Sequence, residues 1–195
     1  MTSTSANINR WRAFALLAVS FFMTIIDLTI VNVSLPTIGR DLHFSATSLQ
    51  WVVTAYALTF GGFMLLGGRA ADLLGRRRIL MVGLAVFSAA SMGAGLATSS
   101  GFLIAMRGLQ GFGAAVVLPA ALSIVMNMFA EGAERNKALG LWGAIGASGA
   151  TVGVVAGGLL TRYAGWLTSV AVAGLSQQLV TWAPCSARVS RWTSR

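Results

Sequence analysis

Two charged residues stand alone inside long apolar stretches, Asp27 in the run Ala13–Leu35 and Arg107 in the run Phe102–Phe129. A charged side chain at the centre of a bilayer costs about 2.5–3.5 kcal/mol on insertion scales, so such groups face partners, water-filled cavities or ion pathways. A carboxyl group in a dry span can trade a proton unless a cation lies close by. Arg107 and Gln110 are one helical turn apart and can point into the same space. The chemistry open to this set is proton exchange at Asp27, tuned electrostatically by Arg107. Two plainer readings stay open: an acid that only ties helices together, and an arginine that reaches the membrane interface along its own apolar stem.

The elements that must position these groups are membrane spans. With 56% hydrophobic and 10% charged residues in a chain of 195, and a mean hydropathy of +0.76, the composition is too apolar for a soluble domain. The expected fold class is an all-α membrane protein with five transmembrane helices and a marginal sixth. The first span covers Ala13–Leu35, is too long for a cleaved signal segment, and is expected to end at Pro36. On it Ser20, Thr24, Asp27 and Ser34 share a side that should avoid lipid. A loop from Thr37 to Gln50 follows, with His43 read as a solvated residue. Further helices are expected at about Leu49–Gly68, Ile79–Ala97, Phe102–Phe129 (with Pro119 inside) and Ala138–Thr161. Ser88, Ser91, Gly93 and Gly95 would allow close approach on the third. Ala130–Lys137 and Arg162–Trp166 read as turns.

Residues 1–12 read as a cytoplasmic tail, 13–166 as the helical bundle, and 167–195 as an atypical segment. In that last stretch Leu167–Ala183 is only marginally a span and Ser186–Arg195 is a basic tail. The abrupt shift to Ser, Gln and Arg points to a frameshift or truncation near residue 167.

A net charge of +9 invites a nucleic-acid reading, but the basic residues sit at the ends of apolar runs and form no aromatic-interleaved stripe. They report topology: four arginines within Gly68–Arg78 mark that connection as cytoplasmic, and most other cations alternate with it. The N-terminus is therefore placed in the cytoplasm and the chain in the cell membrane as a multi-pass protein. Within this arginine-rich loop Gly75 permits a sharp turn, and Asp72 and Arg76 can pair across it. Cys185 is the lone cysteine and founds neither a disulfide nor a metal site. No paired carboxylates, phosphate-cradling loop or Ser–His pair appears, so no enzyme, cofactor or metal is expected.

The spacing Gly68-x-x-Ala71-Asp72-x-x-Gly75-Arg76-Arg77 resembles the loop between helices 2 and 3 of the major facilitator superfamily, with Leu73 where many members carry another arginine. The stretch Asp27-Leu28-Thr29-Ile30-Val31-Asn32-Val33-Ser34-Leu35-Pro36 resembles the first-helix signature of the fourteen-helix drug:proton antiporters, the EmrB/QacA-like group. Arg107-Gly108-Leu109-Gln110-Gly111-Phe112-Gly113 resembles the fourth-helix motif associated with proton coupling. The glycines Gly149, Gly153, Gly157 and Gly158 resemble that group's antiporter motif, with Val154 in place of its proline.

The resemblance covers about Trp11 to Trp166 and implies the N-terminal bundle of such a transporter, built as a 3+3 inverted repeat. It implies proton-coupled efflux of amphipathic or cationic small molecules, with protons, substrate and the lipid bilayer as partners. Asp27, Asn32, Arg107 and Gln110 would form the proton-coupling and substrate cavity. Gly68, Asp72, Gly75, Arg76 and Arg77 would form a conformational-switch loop, and Gly149, Gly153, Gly157 and Gly158 a helix-packing motif. A missing C-terminal half or another chain would be needed for activity. The alternative is a truncated, non-transporting membrane remnant or a half-unit that requires a partner chain.

Overall fold

The computed structural model describes residues 3–42 and 44–165. Five α-helices follow one another: α1 (Ser3–Asp41), α2 (Ala46–Leu74), α3 (Arg76–Gly95), α4 (Ser100–Met128) and α5 (Ala133–Ala164). Each is long and apolar enough to cross a bilayer. Hydrocarbon offers backbone N–H and C=O groups no partner, so a helix that satisfies them internally extends to the ends of its apolar run and beyond. The expected sixth span, without which the second half of the 3+3 repeat is incomplete, the proposed break near 167, Cys185 and His43 lie outside the described residues.

The helices are longer than their hydropathy suggests. Pro36 does not end α1, which continues to Asp41. A proline only one turn from a helix end deprives few carbonyls of partners, and the exposed side chain of Arg40 donates from Nε to the Pro36 carbonyl at 3.2 Å. The loop expected after it shrinks to a few residues, closed by Ser45, whose Oγ accepts from the Ser48 N–H at 3.2 Å as the N-cap of α2. Residues 3–12, read as a tail, belong to the first turns of α1. At the other end of the chain α5 absorbs Ala133–Lys137 and Arg162–Ala164, both expected as turns.

The largest difference concerns the arginine-rich connection. It is not a loop but two helix ends: Gly68–Leu74 finish α2, Arg76–Arg78 open α3, and Gly75 alone joins them. Arginine and leucine are good helix formers, so a cluster of charges does not unwind a helix that emerges from the membrane. Gly75 has φ +96°, a conformation open to glycine and strained for side-chain-bearing residues.

α4 is central, packed along its length against α2 on one side and α3 on the other. Gly111 presses on α2 so closely that a Cβ there would collide with the Tyr56 carbonyl and the Thr59 hydroxyl. That hydroxyl donates to the Gly108 carbonyl at 2.8 Å, tying the two helices. Pro119 leaves the Ala115 carbonyl without its helical donor, and Gly67 of α2 packs against that oxygen. α5 packs on α1. Gly146, Gly149, Gly153 and Gly157 meet Phe21, Ile25, Thr29 and Ile30 there, whereas Gly140, Gly143 and Gly158 face open space and take no part in the contact. Of the expected packing motif, Gly149, Gly153 and Gly157 lie in the contact and Gly158 does not.

Two apolar clusters close the bundle at its ends. One lies where α2 meets α3, the arginine end, and includes Phe14, Leu17, Leu80, Leu84, Val125, Phe129 and Trp142. The other, at the opposite end, includes Val31, Ile38, Val52, Ala94 and Leu103. Between them lies a layer of buried polar side chains.

Candidate functional site

Asp27 comes from the middle of α1, Ser91 from α3, and Arg107 and Gln110 from the first third of α4. Asp27, Ser91 and Gln110 have no exposed surface and Arg107 has 1%. One carboxylate oxygen of Asp27, Oδ2, accepts from Arg107 Nη1 at 3.4 Å and from Gln110 Nε2 at 2.9 Å. The other, Oδ1, accepts from Ser91 Oγ at 3.0 Å. Gln110 is doubly used, since its Oε1 also accepts from Arg107 Nη1 at 2.8 Å. The spacing of three that puts Arg107 and Gln110 on one face of α4 is what lets both reach one carboxylate.

α2 supplies the back of the arginine. Arg107 Nε donates to the Val52 carbonyl at 3.3 Å, and its guanidinium carbon lies 4.5 Å from the centre of the Tyr56 ring. A guanidinium that stacks on an aromatic face and spends its remaining donors in-plane is the geometry that arginine, and not lysine, can satisfy. The reading of Arg107 as reaching out to the interface is thus excluded. The group is a charge-balanced cluster in which α3 and α4 donate to a carboxylate of α1, and α2 accepts from its counter-ion. Burying such a pair is costly unless its other donors and acceptors are engaged, and here Arg107 Nε and Nη1 and both oxygens of Asp27 have partners.

The other expected site residues divide. Asn32 does not join the cluster: it is exposed, and its Nδ2 donates back to the Leu28 carbonyl of its own helix at 2.8 Å. Five positions past Asp27, it stands well round the helix from the buried face. Asp72 and Arg76 do pair, with Arg76 Nη2 at 3.2 Å from Oδ1, astride the Gly75 turn. Gly68 faces Pro119 of α4. Among the described residues no ion pair holds Arg77. Gly149, Gly153 and Gly157 hold α5 against the same segment of α1 that carries Asp27, while Gly158 does not. Ser91 and Tyr56 are the site residues that the sequence did not assign. Ser91 reads from the sequence as a small packing residue, and Tyr56, near the outer end of the span expected at Leu49–Gly68, reads as an interfacial aromatic.

These features define a multi-pass membrane bundle organised around one buried carboxylate and its arginine. The description "Major Facilitator Superfamily" matches residues 17–183, and the chain belongs to that family. It is 48% identical over 80% of its length to a puromycin resistance protein of Streptomyces alboniger, of which it covers 31%. It is 42% identical over 84% of its length to a cephamycin export protein of Amycolatopsis lactamdurans, covering 34%. A multidrug resistance protein of Mycobacterium tuberculosis is 41% identical over 81% of this chain, which covers 30% of it. The chain thus spans about a third of the length of these relatives. Among solved structures, a bacterial homologue of the human lysosomal transporter Spinster, inward-facing and unoccupied, superposes with a TM-score of 0.72. At 21% identity, over 96% of this chain and 43% of that one, the likeness is one of fold.

Proposed function

We propose that the chain forms the first bundle of a proton-coupled exporter of amphipathic or cationic small molecules. The observation that carries this reading is the Asp27–Arg107 pair, closed off by apolar clusters on both sides. Adding a proton to Asp27 removes the negative partner of a buried guanidinium, and an arginine left without a counter-charge in a dry site must find another arrangement. Proton uptake would in this way be converted into a movement between α1 and α4. The names of the relatives support efflux of antibiotics as the transport direction. The cluster of arginines at the α2–α3 end supports a cytoplasmic location for that end, an N-terminus on the same side and insertion in the cell membrane.

Secondary transporters of this kind place the substrate between two bundles that rock against each other. The coverage of about a third of each relative supports the view that a second bundle, from a longer chain or a partner, completes the substrate wall. Everted membrane vesicles energised with an inward-acid gradient test the reading. Carrying this bundle together with a second one, they are expected to accumulate a fluorescent amphipathic cation. Accumulation should collapse with an uncoupler and with Asp27→Asn. Accumulation indifferent to the uncoupler would rule out proton coupling, and its absence with both bundles present would rule out export. Vesicles carrying this chain alone distinguish a self-sufficient unit from one that needs its partner.

A further inference from the structure

The two oxygens of Asp27 are not equivalent. Oδ2 faces Arg107 Nη1 and Gln110 Nε2, both of which can only donate. A proton placed on Oδ2 would meet two donors and no acceptor. Oδ1 faces the hydroxyl of Ser91 at 3.0 Å, and a hydroxyl can turn from donor to acceptor. The titratable and charged groups near the carboxyl are Arg107 from α4 and, stacked on it, Tyr56 from α2. α3 contributes hydroxyls only, and the α5 glycines that face this part of α1 bring backbone alone.

A second observation lies one turn along α3. Ser88 has no exposed surface, and its Oγ has no hydrogen-bond partner among the described residues. A buried hydroxyl that has given up water and gained no partner is unfavourable and calls for an explanation. Residues three apart on a helix share a face, with about 5–6 Å between their Cβ atoms. Ser88 is therefore placed to serve the Ser91 hydroxyl in whichever state leaves that hydroxyl in need of an acceptor.

We propose that Asp27 takes up and gives back its proton at Oδ1 through Ser91, with Ser88 accepting when the Ser91 hydroxyl reverses. In the ionised state Ser91 donates to Oδ1 and Ser88 is idle. On uptake a solvent proton arrives at Ser91 Oγ while the original Ser91 hydrogen passes to Oδ1. The new Oδ1–H then donates to Ser91 Oγ, and the new Ser91 hydrogen points to Ser88. One proton enters, no bond between heavy atoms changes, and release runs the same steps backwards. Ser91 is a positioning and relay residue, and its role rests on the reading of Asp27 as the proton-coupling group.

Infrared difference spectroscopy of the 195-residue chain in lipid nanodiscs separates the two claims. The wild type is expected to show a protonated-carboxyl C=O band that grows as pH falls and is absent in Asp27→Asn. In Ser91→Ala the band should persist at a displaced frequency. Its exchange on perfusion with deuterated buffer should slow by about a hundredfold, the low end of what a positioned proton-transfer group contributes. Ser91→Thr should restore both. Ser88→Ala should slow exchange while leaving the band in place. Should Ser91→Ala lose its helical circular dichroism, Ser91→Cys, of similar shape and weak as a donor, carries the same comparison. A Ser91→Ala band with wild-type position and exchange overturns the relay while leaving Asp27 as the titrating group. Wild-type exchange in Ser88→Ala removes Ser88 from it. The absence of any Asp27 band overturns the coupling reading and the relay together.

Discussion

Two aspartate–arginine pairs of nearly equal length stand in opposite surroundings. Asp27 and Arg107 meet at 3.4 Å with 0% and 1% of their side chains exposed, while Asp72 and Arg76 meet at 3.2 Å with 57% and 37% exposed. The shorter pair is the weaker one. In water the ions are already solvated, and such exposed pairs contribute roughly a few tenths of a kcal/mol, less in salt. In the buried layer neither ion can be abandoned by the other without a large penalty, so the pair behaves as a unit joined to Ser91, Gln110 and Tyr56. What differs is the cost of separation.

The comparison can be broken or sharpened by substitution. Removing one buried partner should have the largest effect: Arg107→Ala is expected to destabilise the bundle by about 3–5 kcal/mol, because it strands a carboxylate. Unfolding in mixed detergent, followed by helical signal, measures it. A loss below 1 kcal/mol would mean that the pair is not dry. Replacing both charges, Asp27→Asn with Arg107→Gln, should recover most of that loss, since a neutral pair carries no stranded charge. A double-mutant cycle against the single variants reads the recovery.

Gly75→Ala should cost about 1–3 kcal/mol through its φ of +96°, a conformation that side chains tolerate poorly. The same unfolding assay should register it, independently of the charge at Asp72. Asp72→Asn is expected to change stability by less than about 0.5 kcal/mol, and that small change should vanish in high salt. If Asp72→Asn matches Arg107→Ala in cost, the contrast between the two pairs is wrong.

Much of the buried cluster was legible because charge is conspicuous in an apolar run. Asp27 and Arg107 announce themselves, and Gln110 follows from helical spacing. Ser91 was not legible in the same way, since serine in a span serves packing as readily as hydrogen bonding. Its position three beyond Ser88 and seven beyond the buried Leu84 was the available signal. Tyr56 was misplaced at the interface because an aromatic near a helix end usually settles there. Helix existence was read well and helix ends poorly. The expectation that Pro36 stops α1 and that charges unwind the α2–α3 connection both treat a local preference as decisive. The demand for backbone hydrogen bonds overrides each. Asn32 stands apart from the buried cluster for a different reason: a motif carries residues that act together in a family, without saying that each touches the others.

The single-residue junction at Gly75 sets what the bundle can do mechanically. Two rods joined through one residue have almost no spare chain between them, so their facing ends must stay together whatever angle they adopt. With α4 packed on both, the bundle divides into a three-helix unit and an α1–α5 pair that meet over a much smaller seam.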